Sequence, residues 1–358
     1  MKIVGLSFDH MHMGDLLRQA FNHPGVQIIG IADENVHNAH AVQSAVQNFR
    51  LTPEQVFDDY ARCLEKTRPD IAVLCPAIAD HARLTELAAS FGAHVLVEKP
   101  FAFSLSDADR MIAACEQNGV KLAINWPLAW YPVYNTVSRI ITQGTIGNVT
   151  EVHHYGGNSG PLKHLADKVE VGEAEANRRK NESWFYKKAL GGGSLIDYMG
   201  YGATLGTWFL GGAAPLQIST MWDIPAGLEV DEHSLCAAKY ATGISKFETR
   251  WGTFSNPWQV QPQPKCGFTI VGERGTVSAY DYDDFVRLQT AEHPEGVEIP
   301  ADELTSPNSN PIEHFIAHIE GRIELHPCLT PRICRIGQQI VDTAIASATQ
   351  ERALELLR

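Results

Sequence analysis

Four short stretches of this 358-residue chain carry side chains able to do chemistry. The first is Gly5-Leu6-Ser7-Phe8-Asp9-His10, with His12 and Gly14 just beyond. A turn that cradles a dinucleotide pyrophosphate places glycines first, third and sixth, so that backbone can approach phosphate and helix can pack on strand. Gly5 keeps the first place, Ser7 is a small replacement at the second, and His10 puts bulk at the third. The next candidate is Asp33, after the run Ile28-Ile29-Gly30-Ile31-Ala32. An acid there accepts hydrogen bonds from adenosine ribose hydroxyls, or else caps the following helix. Glu34 follows it and no Lys or Arg stands beside it, which favours NAD over NADP. In Glu98-Lys99-Pro100 the ammonium can orient a hydroxyl and stabilise a developing alkoxide, or form an ion pair between strand ends. The last stretch is Gly191-Gly192-Gly193-Ser194-Leu195-Ile196-Asp197, with Tyr201 one helical turn past Asp197 and on the same face.

These residues need elements to hold them. Ile3–Leu6, Val26–Ala32, Ile71–Cys75, Val95–Glu98 and Lys121–Asn125 have the length and composition of strands buried on both faces. Helical stretches separate them, near 14–22, 35–47, 60–66, 81–90 and 106–117. Repeated βα units predict a Rossmann-like, doubly wound parallel sheet, which puts Lys99 at the carboxyl edge where such sheets bind ligands. After Asn125 the pattern becomes mostly strands without intervening helices, from 216 to 289, with a hairpin at Gly272-Glu273-Arg274-Gly275. We therefore expect two domains, 1–125 (α/β, dinucleotide-binding) and 126–358 (α+β, with a large, mostly antiparallel open sheet). Residues 156–183 read as a long polar insertion without periodicity, and such loops often cover sites.

Composition narrows the partners. There are 29 Lys and Arg against 42 Asp and Glu, a net charge of −13 spread without runs, which disfavours nucleic acid and anionic membrane surfaces. No apolar stretch approaches the ~20 residues that span a bilayer, and Ser7 and Asp9 interrupt the N-terminal apolar run too early for a signal peptide. Seven scattered cysteines with no C-x-x-C predict reduced thiols and a cytoplasmic location. Asp9, His10, His12, His153 and His154 are metal-ligand types. Neighbours one or two residues apart do not fix a tetrahedral site, however, and no distant partner is visible in the sequence, so no metal is expected. His10 and His12 are expected to line the cofactor cleft, and His154 and Asn158 to border the substrate pocket.

Glu98-Lys99-Pro100 followed by the triple-glycine motif ending at Asp197 resembles the Gfo/Idh/MocA family of oxidoreductases over essentially the whole chain. The resemblance implies NAD as cofactor, a sugar, glycoside or cyclitol as substrate, and a homodimer or homotetramer. It places Lys99 beside the nicotinamide, with Asp197 and Tyr201 completing the catalytic set, and the ammonium is expected to lower the phenol's pKa. It puts Pro76 and His81 (the P-x-x-x-x-H segment) and Trp184 of Trp184-Phe185-Tyr186 near the cofactor. Trp126 stands where many members carry an Arg-containing segment and is expected to form substrate wall. Two other activities remain open on the same residues. One is a lyase or hydrolase that uses tightly bound NAD for transient oxidation. The other is a non-catalytic sugar-binding or regulatory protein.

Overall fold

The computed structural model describes residues 1–358. Its first third alternates β1 (Lys2–Leu6), α1 (His12–Asn22), β2 (Gln27–Ala32), α2 (Ala39–Phe49), β3 (Val56–Phe57), α3 (Tyr60–Thr67), β4 (Ile71–Leu74), α4 (His81–Ser90), β5 (His94–Glu98), α5 (Leu105–Gln117) and β6 (Leu122–Asn125). The six strands form one parallel sheet in the order β3-β2-β1-β4-β5-β6. Helices cover both faces, so every residue of β4 is buried. The order reverses between β1 and β4, and the crevice beyond their carboxyl ends is the ligand position of such sheets.

The remainder contains α6 (Pro132–Thr142), β7 (Val149–Asn158), α7 (Glu173–Lys180), α8 (Ser194–Phe209), β8 (Gln217–Asp223), β9 (His233–Lys239) and β10 (Ile244–Trp251). It continues through β11 (Gly267–Gly272), β12 (Gly275–Tyr280), β13 (Phe285–Thr290), β14 (Val297–Pro300), α9 (Pro311–Ile319), α10 (Pro331–Gln350) and β15 (Leu354–Glu355). Nine strands form the second sheet, in the order β14-β13-β12-β11-β7-β10-β9-β8-β15. All neighbours are antiparallel except β7 and β10. Burial alternates along β8 and β10, so one face is covered and the other open, with Met221 and Ile244 exposed on it.

Helix α8 lies between β7 and β10 on one side and α10 on the other. It is buried almost all round, as a helix covered on every side must be. A Cβ at Gly202 would come within 2.8 Å of His154 Nδ1 and 2.9 Å of Phe247, so a glycine is what allows this closeness to the sheet. The chain then returns to its beginning. Ile312, Phe315 and Ile316 of α9 share a core cluster with Ile3, Met13 and Leu16, while α10 packs against α5. All seven cysteines are free and buried.

Two expectations need correction. Helix α1 starts at His12, not Gly14, which puts His12 on a helix. The stretch 156–183 is not featureless, since β7 runs through Asn158 and Glu173–Lys180 forms α7. That helix buries only Ala176, so it has no apolar stripe to announce it. Acids in its first turn and Arg178, Arg179 and Lys180 in its last suit the helix dipole instead.

Candidate active site

A cavity of about 570 Å³ opens at the carboxyl edge of the parallel sheet, between it and the second sheet. Lys99 reaches it from the end of β5 and Asp197 from the first turn of α8. Lys99 Nζ donates to Asp197 Oδ1 at 2.5 Å, with the two side chains only 4% and 3% exposed. Two charges taken this far out of water persist only as a pair, so each fixes the other.

The triple glycine is what brings Asp197 here. A Cβ on Gly192 would sit 2.3 Å from the Phe185 carbonyl oxygen, and one on Gly193, whose φ is +115°, 2.6 Å from Asp231 Oδ1. Asp231, from the loop before β9, caps α8. Its backbone oxygen accepts from Ser194 N at 2.9 Å, and its Oδ2 accepts from Ser194 Oγ at 2.6 Å and Leu195 N at 2.9 Å. No local capping signal in the sequence points to a partner this far along the chain.

Of the expected residues, His10, Lys99, His154, Asn158, Asp197 and Tyr201 line the cavity together. Tyr198, which the sequence pattern did not single out, joins them and accepts from Asn158 Nδ2 at 2.9 Å. Tyr198 sits one residue from Asp197, and only the all-round burial of α8 brings both to one site. Lys99 Nζ lies over the ring faces of Tyr198 and Tyr201, at 5.5 and 5.4 Å from their centroids. The ammonium therefore meets the π-face of Tyr201 and not its oxygen. Burial, with Tyr198, Glu98 and Asp197 adding to it, pushes the Tyr201 hydroxyl well above its ordinary value. This reverses the expected lowering and leaves Tyr201 as a proton donor. Burial likewise pushes His154 down to about 3, so its ring is neutral.

Trp126, expected as substrate wall, is not among the residues lining the cavity. It is 1% exposed, lies edge-on to Tyr201 at 5.3 Å, and points its Nε1 at Cys334. Gly5, Ser7, Asp33, Pro76, His81, Glu98 and Trp184 are not among the residues lining the cavity. Gly5 lets α1 approach, since a Cβ there would lie 2.9 Å from Met13 Sδ. Ser7 adopts φ 69°, a conformation that glycine favours, where the fingerprint has one. His81 Nδ1 donates to the Phe101 carbonyl at 3.1 Å, and Trp184 Nε1 to that of Asp9 at 3.0 Å.

Asp9 organises the turn. Its carboxylate accepts from Ser7 Oγ at 3.1 Å, Ala77 N at 3.1 Å, Asn35 Nδ2 at 3.0 Å and Asn38 Nδ2 at 2.8 Å. Asp33 Oδ2 accepts from Phe8 N at 2.7 Å and Asn38 Nδ2 at 3.0 Å, while its Oδ1 accepts only from Asn35 N at 2.7 Å. The sequence shows no cation next to Asp33–Glu34, but the fold brings one: Arg83 on α4 lies 3.6 Å from Glu34 and is shared with Asp80.

His10, His12 and Glu98 bring one donor atom each within 4.8 Å of one another, and Glu98 is the distant partner that sequence spacing does not reveal. Each is engaged by hydrogen bonds. His12 Nδ1 lies 2.8 Å from Glu98 Oε1, Asn125 Nδ2 donates to Glu98 Oε2 at 2.8 Å, and His12 N donates to His10 Nδ1 at 3.2 Å.

A switch-point crevice thus lies beside a buried Lys–Asp pair, with the second sheet across the cavity. The chain belongs to the Gfo/Idh/MocA family: residues 1–126 match its oxidoreductase family model with an NAD-binding Rossmann fold, and residues 134–278 its C-terminal domain. Among relatives, D-apiose dehydrogenase of Paraburkholderia graminis is 32% identical over 123 residues, 34% of this chain and 32% of that one. Inositol 2-dehydrogenase of Salmonella typhimurium is 26% identical over 163 residues, 44% and 46% of the two chains. The chain thus matches less than half the length of these curated relatives. Two solved structures share the fold. An aldose-aldose oxidoreductase from Caulobacter crescentus has a TM-score of 0.77 at 18% identity, over 99% of both chains. The WlbA dehydrogenase of Bordetella pertussis, in complex with NADH and UDP-GlcNAcA, has a TM-score of 0.76 at 20% identity, over all of both chains.

The residues suit that dinucleotide. Asp33 Oδ1 keeps acceptor capacity for a ribose hydroxyl after its single bond to Asn35, and Lys99 lines a cavity of about 570 Å³.

Proposed function

We propose that this chain oxidises a secondary alcohol of a sugar, glycoside or cyclitol, or reduces the matching ketone, using NAD in preference to NADP. The observation that carries this is the buried Lys99–Asp197 pair on the cavity wall at the sheet's carboxyl edge. Asp33 would hold the adenosine ribose, with Gly5, Ser7, His10, Pro76, His81, Glu98 and Trp184 shaping the rest of the cofactor cleft. Arg83 is neutralised by Glu34 and Asp80, which leaves little to attract a 2′-phosphate. Bound nicotinamide supplies a hydride acceptor. Lys99 donates to the reacting oxygen and stabilises negative charge on it, Asp197 holds the ammonium in place, and Tyr201 donates a second hydrogen bond. His154 and Asn158 border the remaining hydroxyls.

The names of the apiose and inositol relatives support a polyhydroxylated substrate. The open face of the second sheet supports self-association as a homodimer or homotetramer, and seven buried reduced thiols support a cytoplasmic setting. Thermal melting with NAD, NADH, NADP and NADPH, followed by absorbance assays with NAD and a panel including D-apiose and myo-inositol, tests the whole reading. A shift with NAD or NADH and turnover of a panel member are expected. No shift with any nucleotide, and none released on acid extraction, would sink it.

A further inference from the structure

The proposed oxidation needs a group to take the hydroxyl proton, and the residues named above are poorly placed to do so. Lys99 is engaged with Asp197, and Tyr198 and Tyr201 hold their protons through burial. His12 is a further candidate on the cavity wall, and unlike the deeply buried His10 and His154 it is part-exposed. Its Nδ1 faces Glu98 Oε1 at 2.8 Å, and a carboxylate accepts, so Nδ1 carries the proton and Nε2 keeps a free lone pair. Glu98 is fully buried and anchored by Asn125 Nδ2 on its other oxygen, which fixes the ring as a second-layer carboxylate does in other histidine sites. His12 is part-exposed, lines the same cavity as Lys99, and has no protein partner at Nε2.

We propose that His12, oriented by Glu98, is the general base of this site. The substrate O–H bond breaks and its proton passes to His12 Nε2. The adjacent C–H bond gives up hydride, with its electron pair, to a nicotinamide dinucleotide, and the carbon–oxygen double bond closes. In the reverse direction the imidazolium returns the proton. Lys99 holds the oxygen throughout, and Glu98 is a positioning residue that also offsets the imidazolium charge. The charged and titratable groups around His12 are Glu98 at the end of β5, Asp15 on its own helix, His10 from the turn before it and His164 from the 156–183 segment, and both of these histidines also face Lys99. His10 and His164 are held neutral by burial.

This role rests on the oxidoreductase reading, and the test separates the two. Wild type, His12→Gln and Glu98→Gln would be assayed with NAD and the panel member that wild type turns over best. Each would also be titrated with NADH by tryptophan quenching. His12→Gln should lower kcat by ~10²–10⁴-fold, leave NADH affinity within about twofold, and abolish the acid limb of the kcat–pH profile. Glu98→Gln should lower kcat with KM and NADH affinity little changed, since the ring loses the acceptor that fixes its tautomer and orientation. A His12→Gln enzyme with wild-type kcat and an intact acid limb would overturn the assignment while leaving the oxidoreductase reading standing. So would wild-type activity that a chelator removes and Zn²⁺ restores, because a metal would then occupy the Nε2 lone pair. A wild type inactive on every panel member, with no nucleotide shift, would sink both.

Discussion

Lys99 and Asp197 are worth more together than apart, because removing either leaves a charge with almost no water around it. Lys99→Met should cost about 3–5 kcal/mol in urea unfolding, and adding Asp197→Asn should recover most of that stability without restoring turnover. A double variant as unstable as the single one would contradict the pairing. Tyr201→Phe should lower kcat by roughly tenfold to a hundredfold yet leave the kcat–pH profile unchanged below pH 9, since the phenol keeps its proton there. A basic limb that vanishes in the variant would show Tyr201 titrating after all. Each of the two motifs is local and readable, but Lys99, Asp197 and Tyr201 were legible as a set only through the family resemblance, since Lys99 and Asp197 lie 98 residues apart. Tyr201's protonation was not, since it depends on burial by residues far away in sequence. Neither was the His12–Glu98 contact, whose partners are 86 residues apart.

The element that departs most from its type is the turn between β1 and α1. Glycines in such a turn leave backbone donors open, whereas here the Asp9 carboxylate accepts from Ala77 N and Ser7 Oγ. A pyrophosphate would meet that charge, so Asp9→Asn should tighten NADH binding. About 1 kcal/mol, roughly fivefold in Kd, is what a unit charge contributes at ~4 Å in water. Weaker binding in a titration would mean that the carboxylate helps to build the cofactor site. The strands of both sheets were readable because their burial follows simple rules, continuous in the parallel sheet and alternating in the open one. Helix α7 and the short edge strands β3, β14 and β15 were not, having too few buried residues to leave a pattern.

For the whole molecule, buried histidines set the response to acid. Burial holds His154 and His326 at about 3 and His164 and His314 at about 4. The unfolded chain protonates these rings as pH falls through 6.5, while the folded chain excludes those protons, so stability drops with pH. Asp231 and Asp281, raised to about 6 by burial, act in the opposite sense, because the folded state keeps their protons where the unfolded state has released them. Among these six groups the histidines outnumber the aspartates, and the balance is a loss of stability as pH falls toward 5. Urea midpoints should therefore fall steadily from pH 6.5 to 4.5. A flat profile would mean that these rings already take up protons in the folded state.

Helices α9 and α10 lie late in the sequence but complete the first sheet's surroundings, with Ile312, Phe315 and Ile316 seated beside Ile3 and Met13. On the ribosome, therefore, the parallel sheet emerges with an apolar flank bare and must wait for nearly two hundred further residues before its cover is translated. Until then that flank is the kind of transiently exposed apolar surface that makes a partly synthesised domain prone to aggregation.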